Sequence, residues 1–209
     1  MKITKLGHSC LVLNINGVKI IIDPGKYSLP QVEEKNVNII LITHEHTDHF
    51  HLESVQAIIK NNPLAEIITN ASVGKILEKE NIKYSIVKNG QKITSNNILI
   101  AGIGELHKQV YLSIPQVEDV GFLINKTFFY PGDALHKLDG EVDVVAFPVA
   151  GSWLKVSEVV DWLKELKPKV AIPVHDAILN ENGKKAFLGN YQKLLANLKI
   201  LELGKEEEF

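Results

Sequence analysis

The sequence predicts an α/β fold in which helices cover β-sheets. Residues 37–43 and 142–149 are continuous apolar runs without alternation, which is typical of strands buried on both faces. Amphipathic helical patterns separate such runs along the chain, as helices packed on sheets require. We find no linker-like stretch and no fixed-period repeat, so the 209 residues are expected to form a single domain, 1–209.

The first half of the chain is predicted to open with a β-hairpin. Residues 10–15 and 18–22 have strand character, and Asn16-Gly17 between them favours a tight turn because both residues tolerate positive φ. A helix is expected soon after residue 49, where apolar side chains recur at helical spacing. The other elements predicted here are strands at 65–69, 84–87, 91–94 and 98–101 and a helix at 72–80.

The second half is predicted to continue with the same kinds of element. A helix that begins near Val156 must end before Pro168, because the residue ahead of a proline disfavours helical backbone angles. The acidic residues 205–209 are expected to be a solvated end, since clustered like charges repel one another. The elements predicted here are a hairpin over 121–130 that turns near Asn125-Lys126, strands at 142–149 and 170–174, and helices from 156 and at 184–198.

The composition favours no macromolecular partner. The formal net charge is -2, and no dense run of lysines suits a nucleic-acid backbone, so a small-molecule substrate is expected. The single cysteine, Cys10, cannot form an internal disulfide, which fits a reducing compartment. No apolar stretch approaches the roughly 20 residues of a membrane-spanning helix. A cytoplasmic protein without a membrane partner is therefore expected, and its oligomeric state is left open.

A cluster of metal-ligating residue types follows the first doubly buried strand. Residues 44–49 read His-Glu-His-Thr-Asp-His, which places three imidazoles and a carboxylate on one short loop. His44 and His46 are two apart on an extended segment, so they point the same way and can bind one ion. Asp48 and His49 come a turn later and can face a second ion. A polar loop with chance histidines is the alternative, and the spacing disfavours it.

Further ligands are expected at the ends of other strands, because one loop rarely supplies a complete zinc site. His107 lies in a loop after a strand, and His175 directly follows the strand at 170–174. Asp133 ends the run Phe-Phe-Tyr-Pro-Gly-Asp, where a carboxylate can bridge two ions. The alternatives are ordinary structural histidines at 107 and 175 and a capping role for Asp133.

These motifs resemble the metallo-β-lactamase superfamily. The pattern His-x-His-x-Asp-His, followed by a His, a Gly-Asp and a Pro-x-His, is joined by Gly7-His8 and by Asp23-Pro24-Gly25, over residues 1–177. The resemblance implies a four-layer αββα sandwich and a metal-dependent hydrolase with two divalent ions. Zn²⁺ is the expected metal, with Mn²⁺ or Fe as alternatives. Residues 6–9 and 120–124 resemble a narrower branch, small zinc hydrolases related to L-ascorbate-6-phosphate lactonase.

The resemblance also implies roles for individual residues. A hydroxide that bridges the two ions would attack an ester-like bond, with a lactone or a phosphodiester as the expected substrate, and Asp48 would accept a hydrogen bond from that hydroxide. The implied ligands are His44, His46 and His107 for the first ion, Asp48, His49 and His175 for the second, and Asp133 as the bridge.

Four other residues have an open role at this point. His8 and His136 are each candidates for proton donation to a leaving group or for contact with a metal ligand, and His136 is equally compatible with plain surface exposure. Asp23 either orients a ligand histidine or serves as a turn residue. Trp153 is expected in the core or at an interface in preference to a pocket wall near the metals.

Two other functions fit the same residues. The first is a metal-binding or regulatory protein that uses the ions for stability and catalyses nothing. The second is a dioxygenase of the same fold with a single iron. The metal content of the purified protein separates the dioxygenase from the hydrolase.

Overall fold

The computed structural model describes residues 1–209, with the side chain of residue 29 left out, and its strands form two sheets of seven and six strands. The first sheet contains β1 (Lys2–Lys5), β2 (Leu11–Ile15), β3 (Val18–Ile22), β4 (Ile39–Ile42), β5 (Glu66–Thr69), β6 (Ser85–Ile86) and β13 (Glu206–Glu208). The second sheet contains β7 (Lys92–Ser95), β8 (Ile98–Ile103), β9 (Gly121–Ile124), β10 (Phe128–Tyr130), β11 (Val144–Pro148) and β12 (Val170–Val174). The strand orders are β13-β1-β2-β3-β4-β5-β6 and β12-β11-β10-β9-β8-β7.

Four α-helices and one short 3₁₀ helix connect these strands in the described residues. They are a 3₁₀ helix (Leu29–Glu33), α1 (Leu52–Asn61), α2 (Ala71–Lys79), α3 (Val156–Leu166) and α4 (Glu181–Leu194). Asparagine side chains start two of them: Asn70 accepts a hydrogen bond from the backbone N–H of Val73, and Asn180 accepts one from Gly183. None of the described helices is long and apolar enough to cross a bilayer, and α4, with 14 residues, is the longest.

Alternation along individual strands builds four layers. In β3, Ile20 and Ile22 lie in an apolar cluster between the two sheets, whereas Ile21 lies in a second cluster with the apolar faces of α1 and α2. In β10, Phe128 belongs to the central cluster, and Phe129 belongs to a third cluster with α3 and α4. The layers therefore follow the order helix, sheet, sheet, helix, as the αββα prediction requires.

Both predicted hairpins are present, and their turns have the expected backbone. Asn16 and Gly17 have φ values of 52° and 85°, and Asn125 and Lys126 have values of 48° and 61°. The doubly buried strand predicted at 37–43 is β4, in which all four side chains are buried.

The helix predicted at 184–198 begins and ends earlier. Asn180 caps it, so that α4 begins at Glu181, three residues ahead of the predicted start, and ends at Leu194. The chain then returns to β12, where the Asn197 carbonyl accepts a hydrogen bond from Ala171 and Lys199 donates one to the Ala171 carbonyl. A strand partner thus takes the segment that helical spacing had assigned to the helix.

The acidic end is solvent-exposed at Glu206 and Glu208, as predicted, but the expectation that it does not pack is wrong. Strand β13 pairs with β1 in antiparallel register, with Lys2 opposite Glu208 and Thr4 opposite Glu206. Lysines offset the repulsion between the glutamates, since Lys2 Nζ lies 2.7 Å from Glu206 Oε1 and Lys199 forms an ion pair with Glu207. The unpaired backbone groups of an edge strand supply the remaining attraction.

We expect removal of residues 205–209 to destabilise the fold, because it exposes the backbone edge of β1 and removes the packing of Phe209 on the central core. Urea denaturation should show a free energy of unfolding lower by about 1–3 kcal/mol, the scale of a few net hydrogen bonds. Unchanged stability would mean that residues 205–209 do not contribute to the fold, as the charge pattern predicted.

Candidate metal centre

Strand ends from both sheets meet at one edge of the sandwich. In the first sheet, β3 and β4 are parallel, and Asp23 and His44 come just after their carboxyl ends. In the second sheet, β10, β11 and β12 are parallel, and Asp133 and His175 follow β10 and β12. Carboxyl ends of parallel strands share one edge of a sheet, which is where open α/β sheets place their ligand crevices.

The seven predicted ligands come together at this edge in two groups, with His8 as an eighth member. Within each group the ligand atoms lie within 4.8 Å of one another. The first group is His44, His46, His107 and Asp133, and the second is His8, Asp48, His49 and His175.

Asp133 lies between the two groups. Its Oδ2 atom is 3.5 Å from Nε2 of His107 and 3.1 Å from Nε2 of His175, and its Oδ1 atom is 3.2 Å from Nε2 of His49. Ligand atoms around a tetrahedral zinc ion are roughly 3.3 Å apart, given Zn–N distances of about 2.0–2.1 Å. These separations therefore suit a carboxylate with an ion on each side.

Hydrogen bonds behind the cluster set the tautomer of His44. Thr43 donates its hydroxyl hydrogen to Asp23 Oδ2 at 2.7 Å, so its oxygen accepts from Nδ1 of His44 at 3.0 Å. The Nε2 lone pair of His44 then faces the cluster, 3.1 Å from Nδ1 of His46. Two imidazole nitrogens at this separation are placed to bind one ion.

His49 and His107 are oriented in the same manner. Nδ1 of His49 donates to Asp23 Oδ2 at 2.7 Å, and Nδ1 of His107 donates to the Lys108 carbonyl at 2.6 Å. In both rings Nε2 is left as the acceptor that faces the cluster. This arrangement, with the distal nitrogen held by a carboxylate or carbonyl, is typical of metal-binding histidines.

The cluster has an excess of acceptors and fits cations. Asp133 Oδ1 and both ring nitrogens of His175 are buried and have no hydrogen-bond partner among the described residues. Burial lowers the pKa of His175, but the charge of Asp133 and close contacts with the Asp133 and Asp48 carboxylates outweigh it and raise that pKa to about 9. Buried carboxylates that draw positive charge onto a neighbouring ring are an environment in which divalent ions bind.

His8 contacts a candidate ligand and is itself unsuited to be one. The backbone N–H of Ala177 donates to its Nδ1 atom at 3.0 Å, so the hydrogen of the neutral ring is on Nε2. That hydrogen points at Asp48 Oδ2, 3.1 Å away. Burial lowers the pKa of His8 to about 4, against the opposing effect of its hydrogen bond to Asp48, so the ring is neutral. His8 therefore holds Asp48 in position.

Two buried side chains that sequence reasoning missed also support the centre. Asp119 accepts a hydrogen bond from the backbone N–H of Asp133 at 2.7 Å, and Asn70 donates to the Thr43 carbonyl at 2.8 Å. Gly132 makes the first contact possible, because its φ is +71° and a Cβ atom there would lie 2.1 Å from Asp119 Oδ1. A polar residue just before a buried strand was the available signal for Asp119.

The backbone is strained at two of the strand ends. Asp23 has a φ of 46° and His175 a φ of 62°, which is the left-handed region that non-glycine residues seldom adopt. Such residues concentrate at functional sites, where the surrounding structure holds them in place. At His175 the restraint is a hydrogen bond of 2.8 Å from its backbone N–H to the His8 carbonyl.

A cavity of about 250 Å³ opens over the cluster. Its lining is His46, Asp48, His107, Val110, Asp133, Gly151, Ser152, Trp153, His175 and Ile178. Three larger surface cavities, of about 330, 530 and 560 Å³, contain none of the candidate ligands. The cavity over the cluster is therefore the one that gives access to the candidate ligands.

Trp153 corrects the expectation of a core or interface residue. It belongs to none of the apolar clusters of the described residues, and its ring stands edge-on to His107 with centroids 5.2 Å apart. A pocket-wall position, the less favoured alternative, is where the structure places it. The glycine at 151 permits this, since a Cβ there would lie 2.7 Å from the indole.

His136 is not brought into the cluster. It lies outside both ligand groups and outside the cavity lining, and a Cβ atom on Gly104 would meet its ring at 2.2 Å. Its carbonyl accepts a hydrogen bond from the Trp162 indole at 2.8 Å. This position gives no support to proton donation by His136.

Known proteins share both the sequence pattern and the fold. A family model described as a beta-lactamase superfamily domain matches residues 2–175. Protein Rv0786c of Mycobacterium tuberculosis is 29% identical over 199 residues, which cover 93% of this chain and 92% of that protein. The UPF0173 metal-dependent hydrolase of Nanoarchaeum equitans is 29% identical over 192 residues, which cover 84% of this chain and 83% of that protein.

A solved structure confirms the predicted fold class. The metallo-beta-lactamase fold protein YhfI of Bacillus subtilis matches with a TM-score of 0.76 at 13% identity, and the match covers 100% of this chain and 98% of that one. The narrower resemblance to the L-ascorbate-6-phosphate lactonase branch stays a prediction.

Asp23→Asn tests the hydrogen bonds behind the ligands. The new amide would present N–H groups to the donors of Thr43 and His49, so we expect metal affinity to fall by about 10–100-fold, as for other contacts that orient ligands. Competition with a chromogenic chelator measures the affinity. Glu45→Gln is the matched control, because Glu45 is in the same loop but makes no hydrogen bond or ion pair among the described residues. Equal affinities would contradict the orienting role of Asp23.

Gly25→Ala tests the contact between the Asp-Pro-Gly turn and the ligand loop. A Cβ atom at Gly25 would lie 1.7 Å from the Asp48 carbonyl oxygen, so the loop must move and overpacking should cost about 1–3 kcal/mol of folding stability. Gly189→Ala, in α4 with nothing within 4 Å, should instead gain about 0.5–1 kcal/mol. Urea denaturation and metal stoichiometry are measured for both variants. A Gly25→Ala variant with unchanged stability and metal content would contradict the close contact between Gly25 and Asp48.

Proposed function

The chain belongs to the beta-lactamase superfamily domain family, and on that premise we propose that it is a metal-dependent hydrolase with two divalent ions, most naturally Zn²⁺. The observation that carries the proposal is the convergence of seven buried or half-buried ligand groups from separate strand ends beneath an open cavity. The name of the Nanoarchaeum relative, a metal-dependent hydrolase, supports the same activity.

The chemistry requires no nucleophilic side chain. When bound, a pair of divalent ions would supply Lewis acidity and would lower the pKa of water, so that hydroxide would be available as the nucleophile near neutral pH. The substrate is a small molecule with an ester-like bond, for which a lactone and a phosphodiester are the two candidate classes. Their common feature is an electrophilic centre whose oxygen the ions can polarise.

Asp48 has the contacts of a residue that both ligates and orients. Burial raises its pKa, but close contacts with His175 and His8 outweigh burial and lower the pKa far below its usual value, so the carboxylate is ionised. One oxygen, Oδ2, receives both contacts, at 3.1 Å from His8 and 3.3 Å from His175. The other oxygen is free to accept a hydrogen bond from an attacking hydroxide, the role expected of this residue.

His8 acts through Asp48 in this scheme. Its ring is 1% exposed and its only N–H points at Asp48, so it does not reach a leaving group in the cavity. His8 is a positioning residue, and the catalytic role considered for it from sequence is replaced by this one. A proton for the leaving group would come from solvent or from the centre itself.

An activity screen tests the proposal directly. Metal-replete protein is assayed with lactones, thioesters, phosphodiesters and β-lactams, and the metal content is measured on the same sample. We expect about two ions per chain and turnover of at least one ester-like class. Asp48→Ala should lower kcat/KM by at least about 10³-fold, because it removes both a ligand and an orienting acceptor.

Two outcomes would oppose the proposal. Fewer than one ion per chain after reconstitution, without turnover, would contradict a metal-dependent hydrolase. Two bound ions with no turnover of any class, together with loss of stability in Asp48→Ala, would favour the metal-binding alternative.

A further inference from the structure

We infer that the cavity over the metal centre takes the apolar part of an uncharged carbonyl substrate, such as a carboxylic ester or lactone with an aliphatic chain, and that Val110, Trp153 and Ile178 form its binding wall. The inference rests on the proposed function, which concerns the bond that is cleaved. It adds that the group next to the cleaved bond is apolar, and it favours the lactone class over the phosphodiester class.

The part of the cavity beyond the candidate ligands is lined largely by carbon. Val110 and Ile178 stand at its rim with 39% and 50% of their surface exposed, and Trp153 forms a deeper wall with 9% exposed. The Trp153 ring faces His107 at 5.2 Å and His175 at 6.0 Å between centroids. An apolar group beside the reacting bond would therefore contact both aliphatic and aromatic surface.

No lysine or arginine side chain lines this cavity in the described part of the chain. The sequence contains no arginine, so all 23 of its basic residues are lysines. Two lysines that adjoin the centre are already paired, because Lys5 Nζ lies 2.9 Å from Asp176 Oδ1 and Lys108 forms an ion pair with Glu158. Proteins bind phosphate groups largely with arginine forks and lysines, and only the ions themselves would perform that role here.

The loop that carries Val110 continues the apolar surface. Tyr111 and Leu112 are 66% and 90% exposed, although hydrogen bonds hold the loop in shape. Gln109 Nε2 donates to the carbonyls of Tyr111 and Ile114, both at 2.8 Å. A loop that is held so that it displays apolar side chains is typical of a binding surface.

The cavity is too small to hold a whole substrate with an aliphatic chain, so part of such a substrate would extend onto this loop. About 250 Å³ is below the roughly 300–1,000 Å³ of common small-molecule pockets. The reacting group and the first part of an aliphatic chain fit within it. The rest of the chain would lie on the loop, which supplies the apolar contact that the cavity lacks.

A series of p-nitrophenyl esters from acetate to octanoate tests the inference on zinc-loaded protein, with bis-p-nitrophenyl phosphate as the phosphodiester. We expect kcat/KM to rise with acyl length and to exceed that for the phosphodiester. In Val110→Ser and Ile178→Ser the octanoate-to-acetate ratio of kcat/KM should fall by about tenfold, the scale of a few lost apolar contacts. The matched control is Leu64→Ser, which removes a 91% exposed aliphatic side chain in a different cavity and should leave the ratio unchanged.

Binding is also measured without turnover. Zinc-loaded protein is titrated with 2-decanone and with acetone, which it cannot hydrolyse, and tryptophan fluorescence is followed. We expect a saturable change with 2-decanone that is absent in Trp153→Phe and shifted to about tenfold higher concentration in Ile178→Ser. No change in the wild type would overturn the apolar wall, whatever the activity.

The outcomes separate this inference from the proposed function. A phosphodiester preference, or ester turnover that is independent of acyl length, overturns the inference and leaves a metal-dependent hydrolase in place. No turnover of any substrate by protein with two bound ions counts against the proposed function, and the fluorescence titration then decides the inference alone. Light scattering provides a last outcome. If the wild type is a dimer that both serine variants dissociate, and the octanoate-to-acetate ratio of kcat/KM is unchanged, the apolar wall would be an interface with a second copy of the chain. That result would overturn the inference.

Discussion

The buried carboxylate of Asp23 is the interaction on which the centre depends. It accepts hydrogen bonds from the backbone N–H of Thr43, from the Thr43 hydroxyl and from Nδ1 of His49, all between 2.7 and 2.8 Å. Through Thr43 it also sets the ring of His44. One side chain at the end of β3 thereby fixes a histidine in each ligand group. Because it is fully buried, its hydrogen bonds form in a low-dielectric environment, where leaving a donor unpaired is costly.

The fold carries this arrangement because packed parallel strands end at the same edge of each sheet. The parallel strands β3 and β4 fix the separation of Asp23 from the ligand loop, and β10 and β12 do the same for Asp133 and His175. The loop itself bends tightly over Gly25, where a larger residue would not fit. The ligand geometry is therefore determined by packed strands and depends little on flexible segments.

The sequence predicted those parts of the structure that repeat or that are close together in the chain. The hairpin turns, the apolar strand β4 and the ligand run at 44–49 each have a pattern that a short window contains. His107, Asp133 and His175 needed the resemblance to a family, because a single histidine or aspartate has no periodicity. The roles of Asp119 and His8 escaped the sequence for a different reason. His8 owes its tautomer to the backbone of Ala177, a contact across 169 residues. The pairing of β13 with β1 is likewise long-range, and its charge pattern indicated the opposite.

The buried atoms Asp133 Oδ1 and His175 Nε2, which have no hydrogen-bond partner among the described residues, have a consequence for the life of the protein in a cell. A ligand that binds only the folded state stabilises it by RT ln(1 + [L]/Kd), which is about 2.7 kcal/mol at a hundredfold excess over Kd. The unfolded fraction, and with it exposure to proteases, therefore changes about a hundredfold between metal-starved and metal-replete conditions. The abundance of this protein would then report on metal supply as well as on gene expression.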